Sequence, residues 1–270
     1  MEFTIDKDFA LLYGIMLGDG CLSRYVTKEG YTRNCLVISG SSLDDVPFFE
    51  NLIRPILKKL RGRDLNIKFK KDCNGIEFNF LDKELFEFLS KTGFPIGKKL
   101  DRLFIPKIFY DMDLVSYVVA GFFATDGSLV LTKNPTKYYP RLEIHVISKT
   151  LLKEVYDYLL SLGFKGAFYK CKRVNVSPGA YNELHQKYRI QFNGKNNLLL
   201  FENKIGLVNP KYKEKFDTFL LYDKNYDLLS SSLTSKNLKS AKLKVNNLYE
   251  NKMALGRIEL PIYAFLKNST

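Results

Sequence analysis

The sequence predicts an α+β protein built from two copies of one unit, ordered helix, two strands, helix, two strands, helix. Three observations carry this. The first is an internal repeat, the earliest thing to look for in a chain of this size. Leu12-Tyr13-Gly14-Ile15-Met16-Leu17-Gly18-Asp19-Gly20 aligns without gaps on Val119-Ala120-Gly121-Phe122-Phe123-Ala124-Thr125-Asp126-Gly127, an offset of 107 from Asp19 to Asp126. The second is a further match downstream, Val37-Ile38-Ser39 on Val146-Ile147-Ser148, at an offset of 109. The third is that helical and alternating periodicities follow one another in the same order in both halves.

In the first half an apolar run ends at Asp19 and strand-like alternation follows through Asn34. The apolar spacing then predicts an amphipathic helix over residues 47–60, strands over 65–69 and 76–80, and a helix over 85–93. The second half repeats this, with a helix over 151–162, strands over 167–176 and 188–192, and a helix over 198–206. One such half is too small to cover both faces of its sheet, so two should pack together. The expected division is repeat one over residues 1–108, repeat two over 109–222, and an extension over 223–270. Ser230-Ser231-Ser232-Leu233-Thr234-Ser235 reads as a linker within that extension.

Hydrophobic residues make up 46% of the 270, so a packed core is feasible. Lys and Arg number 42 against 29 Asp and Glu, a net charge of +13 that points to a polyanionic partner, by default nucleic acid. The most apolar run, residues 114–124, is too short for a membrane span, which needs about 20 residues. The N-terminal residues carry early acids and no targeting pattern, so a cytoplasmic, nucleoid-associated location is expected. None of the four cysteines forms a C-x-x-C pair and only two histidines exist, which argues against zinc chemistry and Cys-His catalysis.

Gly14 with Gly18, and Gly121 with Thr125, are spaced i, i+4, so each pair puts small residues on one helix face. Small residues allow two backbones to approach closely. A mid-helix Gly costs roughly 1 kcal/mol against Ala, so a reason of that kind is required. Two ordinary buried helices with Gly C-caps are the simpler reading of either copy alone. If the helices cross side by side, their ends bring Asp19 and Asp126 together, and two carboxylates at helix C-termini repel each other. A hard divalent cation makes that pairing favourable, and a metal-assisted pair of acids suffices for phosphodiester hydrolysis.

Both nonapeptides resemble the LAGLIDADG signature, and the element order resembles that fold over roughly residues 8–216. Gly97-Lys98-Lys99-Leu100-Asp101-Arg102-Leu103-Phe104-Ile105-Pro106, and Tyr188-Arg189-Ile190-Gln191-Phe192 continuing to Asn209-Pro210, look like the archaeal and intein-type branch of the family. The resemblance implies a homing endonuclease whose Asp19 and Asp126, with the adjoining Gly18 and Thr125, hold catalytic Mg²⁺ or Mn²⁺. It also implies two saddle-shaped antiparallel sheets lying in the DNA major groove. Tyr13 departs from the small residue usual at its motif position, and Thr125 stands where Ala is typical. Family members carry a lysine near the second strand of each repeat; the alignment puts Ile147 there, between His145 and Lys149, and only Gly40, Ser41 and Ser42 in the first repeat. Lys149 is therefore the expected catalytic base, with His145 second. The chain starts at Met1 rather than at a splicing residue and does not end in a His-Asn pair, so it reads as free-standing or intron-encoded.

The expected DNA-facing set is Arg24, Lys28, Tyr31, Arg33, Lys68 and Lys70 in the first repeat. In the second it is Lys133, Lys137, Tyr139, Arg141, Lys170, Lys172, Arg173, Lys187, Arg189 and Gln191. Arg and Gln suit base edges, and Lys suits phosphate. The expected partner is double-stranded DNA with a long asymmetric site, bound by a monomer because both motifs lie in one chain. An RNA maturase acting on intron RNA and a catalytically silent DNA-binding regulator are the competing readings.

Overall fold

The computed structural model describes residues 3–71, 73–134, 137–175 and 184–232. The chain forms two compact units. The first takes Met1–Val130 and Arg141–Tyr212, and the second Leu131–Pro140 and the chain from Lys213 on.

Helix α1 (Lys7–Asp19) opens on Asp6, whose carboxylate accepts the Phe9 N–H at 2.9 Å and caps the first turn. It is buried on all sides from Phe9 to Leu17, as is helix α6 (Val115–Asp126) from Val118 to Ala124. A helix apolar all round belongs in the core rather than at a surface. The two pack directly on each other. A Cβ built on Gly14 would collide with the Val118 carbonyl and stand 2.9 Å from Phe122 N; one on Gly121 would collide with the Leu11 carbonyl and stand 2.9 Å from Ile15 N. The i, i+4 small residues thus set backbone against backbone, as their spacing requires. Tyr13 turns away from this crossing into an aromatic cluster, 4.9 Å from Phe109 and 5.8 Å edge-on from Phe94.

Each helix runs straight into a strand. Gly20 and Gly127 are extended, with φ −88° and −78°, rather than left-handed caps. Gly is needed there because a Cβ would strike the preceding turn, at Met16 and Phe123 respectively. Strands β1 (Gly20–Val26), β2 (Thr32–Ser41), β3 (Lys68–Phe69) and β4 (Gly75–Leu81) form an antiparallel sheet in the order β1-β2-β4-β3. Strands β5 (Gly127–Asn134), β6 (Lys137–Val146), β7 (Gly166–Asn175) and β8 (Leu184–Asn193) form a second, in the matching order β5-β6-β8-β7. The expected strand over 65–69 pairs only at its end. The Arg54 fork holds Asp64 at 2.8 and 3.1 Å just before it.

Between β2 and β3, α2 (Val46–Phe48), a π-helical turn (Phe49–Ile53) and α3 (Arg54–Arg61) run end to end. Pro55 has no N–H to donate, and the wider turn directly precedes it. Helix α4 (Lys83–Lys91) closes the first repeat, and short α5 (Lys107–Asp111) leads into α6. Helices α7 (Lys149–Ser161) and α8 (Lys195–Lys204) complete the second repeat. Helix α9 (Pro210–Ser232) follows, running through the expected boundary at residue 222. The serine-rich stretch expected as a linker begins inside α9, and residues from 233 on lie outside the described residues. In the second unit Tyr138 packs edge-on against Tyr222 of α9 at 4.8 Å. No helix among the described residues is long and apolar enough to cross a membrane.

Strand pairing corrects the second alignment. β2 pairs Leu36 with Phe80, two residues before the α4 N-cap Asp82; β6 pairs Leu142 with Phe192, two residues before the α8 N-cap Gly194. The equivalence is therefore Leu36 with Leu142, an offset of 106. The Val-Ile-Ser match at 109 is not a structural equivalence: Ser39 lies within β2, whereas Ser148 is the N-cap of α7.

Candidate functional site

The crossing of α1 and α6 places their C-terminal ends side by side in the first unit. A Cβ on Gly18 would overlap the Thr125 side chain and stand 3.4 Å from the Asp126 carboxyl carbon. Burial pushes the Asp126 carboxyl up to about 6, and the negative charge of Asp19 adds to it. Lys99 and Lys187 act in the opposite sense without offsetting this. Asp19 is also raised, first by burial and further by Asp45, while Lys99 and Lys211 oppose the shift. The two acids therefore form a coupled, desolvated pair that is short of positive charge.

Two lysines absent from the sequence-based set complete the arrangement. Lys99 donates to the carbonyls of Met16 at 3.3 Å, Leu17 at 3.0 Å and Gly18, so it caps the last turn of α1. Burial lowers its pKa, and the nearby Asp126 and Asp19 hold it up in part. Lys211 pairs with Asp45 at 2.7 Å. The α6 end is held by neutral groups. Buried Asn209 donates to the Ala124 carbonyl at 2.9 Å, the Thr125 hydroxyl to the Phe122 carbonyl at 3.0 Å, and the Tyr212 hydroxyl to the Gly127 carbonyl. The two lysines stand at comparable places in the two repeats. Lys99 follows the positive-φ Gly93 by six residues and Lys211 follows the positive-φ Gly206 by five. Each of these glycines lies just past the last helix of its repeat.

Of the residues expected at the metal site, Asp19, Asp126, Gly18 and Thr125 are brought together here. The Gly18 carbonyl is taken up by Lys99, and the Thr125 hydroxyl by its own helix. Lys149 is exposed at the first turn of α7. His145 lies on β6, with Nε2 2.8 Å from Glu143 Oε2. The group tests well against a divalent cation, because two desolvated carboxylates offer hard oxygen donors that repel each other without one.

One face of each sheet is covered by helices and the other is open. Leu22, Leu36, Ile38, Phe78 and Phe80 fill the covered face of the first sheet, and Leu142, Ile144, Ile190 and Phe192 that of the second. Alternation then sorts the expected DNA-facing residues. Arg24 shares the helix side with Leu22: it meets Glu87 of α4 at 3.3 Å and lies 5.1 Å from the centre of the Phe86 ring. Lys170 pairs with Tyr188, which pairs with buried Val146, so it too sits on the helix side. These two are turned away from the open faces because strand neighbours point to opposite sides. Lys68 binds the Asn79 carbonyl at 3.0 Å, and Lys70 meets Glu77 at 3.0 Å. Exposed Lys28, Tyr31 and Arg33 cluster at the β1–β2 turn. Arg141, Lys187, Arg189 and Gln191 share the open side of the second sheet, Lys172 is exposed within a bulge in β7, and Tyr139 is exposed in the second unit. The side chains of Lys133, Lys137 and Arg173 lie outside the described residues.

Residues 113–206, the second repeat, match the family model of a LAGLIDADG-like domain. No curated protein sequence matches the chain. The meganuclease I-SmaMI bound to uncleaveable DNA matches with a TM-score of 0.56 and 13% identity, over 90% of this chain and 97% of that one. The LAGLIDADG meganuclease I-AabMI bound to uncleaved DNA matches with a TM-score of 0.52 and 17% identity, over 89% and 98%. I-DmoI in complex with DNA and Ca matches with a TM-score of 0.50 and 18% identity, over 74% and 88%. The fold is thus the α+β fold of two-repeat LAGLIDADG meganucleases, with two four-stranded antiparallel sheets. At these identities the likeness is one of fold.

Proposed function

We propose that this chain is a homing-endonuclease-like enzyme that hydrolyses both strands of a long, asymmetric DNA duplex. The observation that carries the reading is the coupled pair Asp19 and Asp126 at abutting helix ends, with a buried lysine against one of them. Similarly folded proteins have been captured on DNA, one of them with calcium. The net charge of +13 and the open faces of two sheets suit a polyanion.

Asp19 and Asp126 would hold Mg²⁺ or Mn²⁺, assisted by backbone oxygen at Gly18 and Thr125. When bound, the metal lowers the pKa of water and stabilises charge on the phosphate oxygens. Lys99 would place a positive charge beside the acids and the phosphate. Lys211 provides the second cation, on the Asp45 side. These two lysines are better supported for this role than Lys149, because each acts on the charge of the motif acids. Lys28, Lys187 and Lys172 would contact phosphates, and Arg33, Arg189 and Gln191 base edges. A monomer suffices, since both acids come from one chain.

The test is incubation of the full chain with a randomised duplex library and Mg²⁺, followed by sequencing of cut ends. Recovery of one long sequence cut on both strands is expected, and its loss in Asp19→Asn and Asp126→Asn. Equal cleavage by either variant would remove the assignment of the acids.

A further inference from the structure

On the open face of the second sheet lies a carboxylate that the proposed chemistry does not use. Glu143 is the middle residue of three on β6, Arg141, Glu143 and His145, that alternate onto that face. It is only 6% exposed although the face is open. Its Oε1 forms an ion pair with Arg141 Nε, and its Oε2 lies 2.8 Å from His145 Nε2. Glu143 is thus tied by ion pairing to its two neighbours on the same face of β6. Arg141 meets Glu143 through Nε and keeps about a third of its side chain exposed (34%). Across the sheet, Glu143 pairs with Gln191 and His145 with Arg189. The Arg189 guanidinium lies 4.6 Å from the centre of the Tyr169 ring. An arginine guanidinium, positioned by a buried carboxylate on the open face of an inner strand, matches the O6 and N7 acceptors of guanine in the major groove.

The first sheet lacks this device. Its equivalent positions, at the offset of 106, are Cys35, Val37 and Ser39, with no charge among them.

We propose that Arg141 is a specificity-determining residue that reads a guanine in one half of the DNA site, and that Glu143, held by His145, is its positioning residue. This rests on the DNA-binding reading above. The first repeat makes no corresponding demand on the other half-site.

The experiment is selection of bound duplexes from a randomised library by the full chain in Ca²⁺, comparing wild type with Arg141→Lys, Glu143→Gln and the double variant. Wild type should enrich duplexes with a fixed guanine at one position of one half. Arg141→Lys keeps charge but loses the fork, and should reduce the guanine preference there at least tenfold, leaving other positions unchanged. Glu143→Gln keeps shape but loses charge, and should relax the same position severalfold. The double variant should relax it no further than Arg141→Lys alone. A merely structural Glu143 would instead weaken binding at all positions alike. If Glu143→Gln does not fold, Arg141→Lys alone decides the reading residue. Unchanged guanine preference in Arg141→Lys, with strong selection by wild type, overturns this inference and leaves the DNA-binding reading standing. Enrichment of no duplex by wild type overturns both.

Discussion

The ends of α1 and α6 carry the same Asp-Gly pair, yet different chemistry holds them. At the α1 end a buried ammonium, Lys99, covers three carbonyls. At the α6 end an amide and two hydroxyls cover the carbonyls, and the nearest equivalent lysine, Lys211, is directed to Asp45 instead. Asp126, at the end capped by neutral groups, is the acid pushed up to about 6. The duplicated unit thus kept its acids and let their supporting groups diverge. The sheets diverged in parallel, with Arg141, Glu143 and His145 on one and Cys35, Val37 and Ser39 on the other. Two halves of one site that differ this way should treat two DNA strands, and two half-sites, differently.

The largest effect should come from the shared part. Asp19→Asn and Asp126→Asn should each lower single-turnover cleavage by more than about a thousandfold, about 4 kcal/mol of barrier, while duplex affinity survives or rises. Loss of affinity in step with cleavage would show that the acids act on binding. The crossing itself comes next. Gly121→Ala and Gly14→Ala force a methyl against backbone carbonyls that cannot swing aside, and each should cost roughly 2–3 kcal/mol in denaturant unfolding. A neutral result would mean that the helices can separate without loss.

The lysines sharpen the comparison directly. Lys99→Met and Lys211→Met should slow cleavage by unequal factors, roughly ten to a hundredfold, about 1.4–2.7 kcal/mol, so that nicked duplex accumulates in each. Lys149→Met serves as the reference. A tenfold loss there with Lys99→Met unaffected would return the base role to Lys149.

A smaller effect follows from the raised Asp126. Its folded-state pKa of about 6 exceeds the ordinary value of 3.8, so the folded state holds a proton that the unfolded state has released. Stability from this group is therefore present below the ordinary value and is lost as pH rises toward 6. In metal-free solution, thermal midpoints should fall across that window for wild type and fall less steeply in Asp126→Asn, where the raised Asp19 remains. Divalent metal, which needs the ionised form, should bind more tightly as pH rises through about 6, followed by calorimetry. The gentlest test is salt: log affinity against log salt should fall with a slope steeper than about −3, as for several phosphate contacts.

Sequence alone determined a good deal. The duplicated run from Leu12 to Gly20 and from Val119 to Gly127 announced two equivalent helices. The i, i+4 small residues announced their close crossing, because only a missing side chain lets backbones touch. The order of periodicities gave both sheets. Tertiary structure alone decided the rest, for identifiable reasons. Which side of a strand faces open space depends on register. Arg24 and Lys170 looked like groove residues until pairing put them on the side of Leu22 and Val146. The Val-Ile-Ser match misled because three identical letters cannot reveal that one serine lies within a strand and the other caps a helix. Lys99 and Lys211 stood about 80 residues from the acid of their own repeat, and sequence spacing says nothing about groups that only a closed core brings to one helix end. A carboxylate's environment is likewise a property of the packed molecule: Asp19 and Asp126 are ordinary acids in the chain and a coupled, desolvated pair in the fold.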